Sequence, residues 1–142
     1  MIFKKDFFLL FASDFTFRYG YQIGKMPLLP YFAMILGASE ILVGTILSIS
    51  TLTGMFLKPI MGFLSDQLGR KVWLLIASIF FIFFPFMYQF IDTPTELAIL
   101  RIFHGVATAI LGPVTLALVA DMSESNSSIK MGVFGMARSA AY

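Results

Sequence analysis

The side chains best suited to chemistry are a few polar groups inside long apolar segments. Asp14 and Arg18 stand four residues apart in the first segment, and Tyr21, Gln22 and Lys25 extend the same polar stripe. At about 100° per residue these positions share one side of a helix, and an acid four residues before a base has the favourable order for an ion pair. The stripe predicts a surface that lines a cavity. Alternatively, the pair only attaches the helix to a neighbour, and Lys25 extends to the membrane surface.

A second group of polar side chains lies in a later segment. Arg101 is followed one turn on by His104 and, one turn further, by Thr108. A buried arginine stays charged, so it would perturb the ionisation of a nearby acid. Asp14 is the only carboxylate inside the predicted membrane spans. His104 either titrates near neutrality or is a hydrogen-bonded packing residue. We expect Asp14, Arg18 and Arg101 to form one charged cluster, because each is costly to expose to lipid.

The elements that must position these charges are membrane-spanning helices. Hydrophobic residues are 58% and charged residues 13% of the 142 residues, against about 45–50% and about 25% in soluble domains. The predicted spans cover residues 7–33, 41–64, 72–91 and 97–120, and a further segment runs from 131 to 142. That last segment is shorter than the roughly 20 residues that cross a bilayer. We therefore expect an all-α membrane protein with four transmembrane helices and the start of a fifth, at the front of a longer chain.

Several other classes of function lack support in the sequence. The chain has no Cys and one His, so it offers no metal cluster. Its net charge is +2 and its basic residues are dispersed, which is no footprint for nucleic acid. The nearest candidate for a phosphate-binding loop, residues 20–26, has the wrong spacing. We expect no enzyme activity, cofactor, metal or nucleic-acid partner.

The distribution of basic residues predicts the orientation in the membrane. Lys4, Lys5, Arg70, Lys71 and Lys130 lie in the N-terminal arm and in the second and fourth connections, whereas the first and third connections hold no Lys or Arg. Cytoplasmic loops carry an excess of such residues. The N-terminus is therefore predicted to be cytoplasmic, in a multi-pass protein of the cell membrane.

Small residues on the second segment predict close helix packing. Gly44, Ser48, Thr51 and Gly62 share a face, with Gly54 on one flank. Small side chains let helix backbones approach closely in lipid. We expect this face to pack against a neighbouring helix.

The connection between the second and third segments carries the most specific local pattern, which includes Gly62, Asp66, Gly69, Arg70 and Lys71. Gly69 suits a sharp turn. A carboxylate near a helix C-terminus faces the negative end of the helix dipole, so Asp66 either has a partner or is simply solvated.

This pattern resembles the signature loop of the major facilitator superfamily, G-x-L-x-D-x-x-G-R-K. Arg101 followed by His104 and Gly105 is similar to the R-x-x-Q-G motif of that family, and residues 26–30 resemble the end of its first helix, especially in drug:proton antiporters. The sequence departs from the family pattern at His104, where Gln is usual, and at Gln67, where a basic residue is common.

The resemblance implies a fold of twelve helices in two halves, of which this chain would be the incomplete N-terminal half. It also implies that Asp66 meets a helix end in the missing C-terminal half and that Arg70 pairs with Asp121, together latching a cytoplasmic gate. Arg101 would take part in proton coupling, with His104 in the Gln position. Asp14 is the carboxylate that would carry the proton.

The implied function is secondary active transport, with protons driving efflux of a small, partly apolar substrate across the lipid bilayer. Its substrate cavity is expected to be lined by Arg18, Tyr21, Gln22 and Thr108. Two alternatives stay open: a nutrient or metabolite symporter of the same superfamily, and a small accessory membrane protein with no transport activity of its own.

Overall fold

The computed structural model describes residues 5–122 and 127–140, and these are helical apart from short connections, with no strand in either range. The α-helices are α1 (Lys5–Ile23), α2 (Leu29–Ile35), α3 (Glu40–Leu68), α4 (Arg70–Met87), α5 (Pro94–Asp121) and α6 (Ser127–Ala140). A π-helical turn, Gly24–Leu28, joins α1 to α2, and a 3-10 turn, Tyr88–Phe90, follows α4. The all-α prediction is confirmed.

Three helical stretches in the described ranges are long and apolar enough to cross a membrane: Glu40–Leu68, Arg70–Phe90 and Pro94–Asp121. Where one helix was predicted over 7–33, the chain is helical from Lys5 to Ile35 but carries the π turn in its middle. Pro27 lies inside that turn. Proline has no N–H and clashes with the carbonyl four residues earlier, which explains why regular α-helical bonding is interrupted there.

The helix ends follow from local sequence. The Ser39 hydroxyl accepts a hydrogen bond from the Leu42 N–H at 3.4 Å at the start of α3. Thr93 and Glu96 form a capping box at the start of α5, which satisfies N–H groups that the helix itself leaves unpaired. Gly69 separates α3 from α4 with φ +92°, a conformation that favours glycine.

Helix α5 lies at the centre of the bundle and packs closely on α3. A Cβ added at Gly105 would lie 2.5 Å from Cβ of Thr53 and 2.8 Å from the carbonyl oxygen of Ser50. Gly54 is the facing small residue on α3, since a Cβ there would be 3.2 Å from the Thr108 hydroxyl. At Gly105 a larger residue would force the two helices apart, because the contacts are to a backbone oxygen and a Cβ atom and not to the end of a flexible side chain.

Among the described residues, most of the packing face predicted for the second segment has no neighbouring helix. No described atom lies within 4 Å of a Cβ built at Gly44, and Ser48 and Thr51 are exposed. Gly62 alone of that set faces α5, where a Cβ would lie 3.8 Å from Cβ of Pro113. The close approach is set by Gly105 on α5, so the periodicity of one helix could not identify the face.

Helix α6 packs against the start of α1 and the end of α5 through a buried cluster of Phe7, Val119 and Phe134. The Phe7 and Phe134 rings meet edge to face, 6.5 Å between centroids. Many other large apolar side chains, including Phe8, Phe56 and Phe83, are exposed. Such surfaces suit contact with lipid, because a soluble monomer rarely exposes extended apolar patches.

Candidate functional site

Three groups of charged side chains are present in the bundle, and the first lies at the α3–α4 connection. Arg70 Nη1 is 2.9 Å from Asp121 Oδ2 at the end of α5, and its Nη2 is 3.1 Å from Asp66 Oδ1. The predicted Arg70–Asp121 ion pair is therefore present. Asp66, in the last turn of α3, thus has a partner in the first residue of α4, and its side chain is 62% exposed. Lys71 is exposed and Gly62 half-buried beside this group.

The second group surrounds Asp14, which is 3% exposed. Its Oδ2 is 2.8 Å from Arg18 Nε and 3.3 Å from Arg138 Nε. Arg138 also donates through Nη2 to the Gly112 carbonyl at 2.9 Å and to the Thr115 hydroxyl. One carboxylate thus serves two guanidinium groups, and Arg138 ties α6 to both α1 and α5.

The third group is built on Arg101, which is 1% exposed. Its Nη2 donates to the Tyr21 hydroxyl at 3.0 Å and to the Ser50 hydroxyl. Its guanidinium carbon lies 5.5 Å from the centroid of the Tyr21 ring, within the range of a cation–π interaction. Hydroxyl groups and an aromatic face therefore hold this charge.

The prediction that Asp14, Arg18 and Arg101 form one cluster was wrong. None of the ion pairs among residues 5–122 and 127–140 includes Arg101. Arg101 meets α1 at Tyr21, about 10 Å of helix rise from Asp14. The cost of an isolated charge correctly predicted that Asp14 and Arg18 are paired. The second base in their cluster, however, is Arg138 and not Arg101.

His104 lies among aromatic rings and is 5% exposed. Its ring centroid is 4.7 Å from Phe84, 5.6 Å from Tyr21 and 5.9 Å from Tyr88. Among the described residues, neither its Nδ1 nor the Nε of Arg101 has a hydrogen-bond partner. The ring of His104 is thus packed as the second alternative predicted, but its Nδ1 makes no hydrogen bond with a described residue.

Two cavities adjoin these groups. The larger, about 700 Å³, is lined mainly by apolar and aromatic side chains together with Lys25, Arg101 and His104. The smaller, about 380 Å³, is bordered by Arg18, Gln22, Thr108 and Arg138 among others. Tyr21 borders both. The structure thus places all four residues predicted to line a substrate cavity at the smaller one.

Some residues of these sites were not predicted. Arg138 carries a detectable signal, because it is a basic residue in an apolar segment, subject to the same insertion cost that singled out Arg18. Ser50 accepts a hydrogen bond from Arg101, and Thr115 accepts one from Arg138. Neutral hydroxyls are frequent in membrane helices and give no such signal. In the ranges that the structure describes, no group of three or more His, Cys, Asp or Glu is placed to hold a metal ion.

Comparison with known proteins gives consistent matches. A model of the Major Facilitator Superfamily matches residues 7–142. An uncharacterized MFS-type transporter of Methanocaldococcus jannaschii is 28% identical over 136 residues, which cover 94% of this chain and 35% of that protein. The quinolone resistance protein NorA of Staphylococcus aureus is 28% identical over 127 residues, covering 89% of this chain and 32% of NorA. The chain therefore spans about a third of the length of these curated relatives.

Proposed function

Because this chain belongs to the major facilitator superfamily, we propose that the complete protein is a secondary active transporter that exports small, partly apolar molecules in exchange for protons. The observation that carries the proposal is the family match over residues 7–142. Similarity to a protein named for quinolone resistance supports efflux as the direction. The charge distribution supports a cytoplasmic N-terminus in the cell membrane.

The substrate would bind in the cavities beside Tyr21. The larger cavity, about 700 Å³, falls within the roughly 300–1,000 Å³ of typical ligand pockets. Its lining is mainly apolar, with a few polar groups at the wall, which suits a partly apolar molecule. Arg18, Gln22 and Thr108 border the smaller cavity, and they would contact polar parts of the substrate.

Asp14 is the proposed proton carrier. As a carboxylate it neutralises Arg18 on α1 and Arg138 on α6. Protonation would remove the negative charge and leave two guanidinium groups beside each other in a buried place. Their repulsion would weaken the attachment of α6 to α1, so proton binding would be coupled to a movement between helices. Arg101 and His104, about two turns away, would couple this movement to the substrate cavity through Tyr21.

The group around Arg70 is the proposed latch of the cytoplasmic gate. Arg70 joins the α3–α4 connection to the end of α5 through Asp121, and Asp66 lies on its other side. The side chain of Asp66 is largely exposed, which leaves it able to meet a further helix end. Breaking the latch would let the connection move relative to α5.

Reconstitution of the complete protein in proteoliposomes tests this function. We expect the fluorescent quinolone norfloxacin to accumulate when the imposed proton gradient runs opposite to the direction of drug movement, and an ionophore that dissipates the gradient should abolish accumulation. Accumulation only with protons moving in the same direction would instead identify a symporter. If the drug moves equally fast with no proton gradient and with a gradient in either direction, secondary transport of this drug is refuted.

A further inference from the structure

Arg101 carries a buried positive charge for which the described residues provide no carboxylate. The other guanidinium groups discussed above each have one: Arg70 contacts Asp66 and Asp121, and Arg18 and Arg138 share Asp14. The hydroxyls of Tyr21 and Ser50 that bind Arg101 are neutral. Hydrogen bonds to hydroxyls orient a guanidinium but do not cancel its charge, and an uncompensated charge away from water is costly. Among the described residues, the charge of Arg101 is therefore left without a compensating anion.

The wall of the larger cavity is positive as well as aromatic. Lys25 and Arg101 both border it, and no Asp or Glu of the described ranges does. Lys25 Nζ donates to the Thr51 hydroxyl at 3.0 Å. An ammonium has three donors, so this bond leaves capacity for another acceptor. Lys25 is half-buried, whereas Arg101 is almost wholly enclosed, so Lys25 is the cation that a ligand can contact directly.

The ring of Tyr21 connects the two cations. Lys25 Nζ is 6.0 Å and the guanidinium carbon of Arg101 is 5.5 Å from its centroid. In surroundings of low dielectric the field of the enclosed guanidinium extends beyond its own contacts. Both charges therefore favour a negative group at this part of the wall, where the remaining lining is apolar or aromatic.

We infer that the larger cavity binds aromatic carboxylates, with the carboxylate at Lys25 within the field of Arg101 and the ring among the aromatic side chains. A charge-assisted bond from an ammonium to a carboxylate is stronger than one to a neutral acceptor. Aromatic rings add stacked or edge-to-face contacts. This inference rests on the proposed transport function and specifies its substrate class as anionic.

Three probes with one ring system test the inference on the purified complete protein: 2-naphthoate, 2-naphthamide and 2-naphthylmethylammonium. They differ mainly in charge, and their affinities can be measured by ligand-induced stabilisation against heat. We expect naphthoate to bind about tenfold more tightly than the amide, and the ammonium to bind most weakly. Equal affinities, or tighter binding of the ammonium, would overturn the inference and show that a carboxylate elsewhere in the protein already neutralises Arg101.

Variants of Lys25 assign the contact. Lys25→Gln should reduce the preference for naphthoate over the amide severalfold, and Lys25→Arg should retain most of it. Lys5→Gln is the matched control, because Lys5 is exposed at the start of α1 and does not border the cavity. An unchanged preference in Lys25→Gln would refute Lys25 as the contact.

The proteoliposome assay separates the two proposals. Proton-driven norfloxacin transport without any charge preference among the naphthyl probes would leave the transport function standing and reject the anionic substrate class. A preference for naphthoate without proton-driven transport would support the binding site and reject the transport function.

Discussion

Arg138 Nε on α6 lies 3.3 Å from Oδ2 of Asp14 on α1, although the two residues are far apart in the sequence. Arg18 Nε contacts the same oxygen at 2.8 Å. The polar contact of α6 with α1 thus depends on one buried carboxylate that a second arginine also uses. A change of charge at Asp14 would be felt by two helices at once.

The first prediction concerns Asp14→Asn in the complete protein. The amide keeps the shape of the side chain but cannot change its charge with the proton gradient, so gradient-driven uptake of norfloxacin should be abolished. Drug binding, measured by equilibrium dialysis, should persist. Full gradient-driven uptake in this variant would show that Asp14 is structural and that the coupling carboxylate lies elsewhere.

The second prediction concerns the energetic coupling of Asp14 and Arg138. Asp14→Asn and Arg138→Gln each leave part of a buried ion pair without its partner, so both should lower the apparent Tm. Because each variant already breaks the same contact, the double variant should lose less than the sum, with a coupling of roughly 0.5–3 kcal/mol. Lys71→Gln, a change at an exposed residue beside Arg70 and away from Asp14, should combine additively with Asp14→Asn. Additive losses for Asp14 and Arg138 would contradict the ion pair.

The sequence was sufficient for the features that depend on one segment or one short motif. Apolar runs located the helices, and the spacing of Asp14 and Arg18 predicted their ion pair. The pairing of Arg70 with Asp121 was available from the family motif. The partners of Arg101 and Arg138 were not, because they depend on how far α5 and α6 are rotated about their axes relative to α1. That rotation is set by the packing of many side chains, which for α5 includes the close approach to α3 at Gly105.

The third prediction uses that close approach. Gly105→Ala would place a methyl group 2.8 Å from the carbonyl oxygen of Ser50 and 2.5 Å from Cβ of Thr53, so α3 and α5 must move apart. Overpacking of this kind costs about 1–3 kcal/mol and should lower the apparent Tm. Gly44→Ala is the control, because no described atom lies within 4 Å of its Cβ and alanine favours a helix more than glycine does. Equal Tm values for the two variants would contradict the packing.

The fourth prediction concerns orientation. Gln67 is exposed in the last turn of α3, beside the connection to α4, and the positive-inside rule predicts that this end of α3 is cytoplasmic. A Cys at this position, with any native Cys elsewhere in the complete protein replaced, should react with an impermeant maleimide only after the cells are permeabilised. A Cys in place of the exposed Asp92 on the opposite side should react in intact cells. The reverse pattern would invert the topology.

The fifth prediction tests the latch by exchanging its charges. Arg70→Asp and Asp121→Arg should each impair transport, because each places like charges together at the end of α5. The double variant should recover only part of the activity, since a carboxylate at position 70 would face Asp121→Arg favourably but would repel Asp66, which now lies 3.1 Å from the guanidinium. Adding Asp66→Asn should increase the recovery. Lys71→Asp combined with Asp121→Arg is the control, because the ion pair to Asp121 is made by Arg70, and it should restore nothing. If the double variant of Arg70 and Asp121 recovers no transport in proteoliposomes even with Asp66→Asn, the ion pair is not part of the gate.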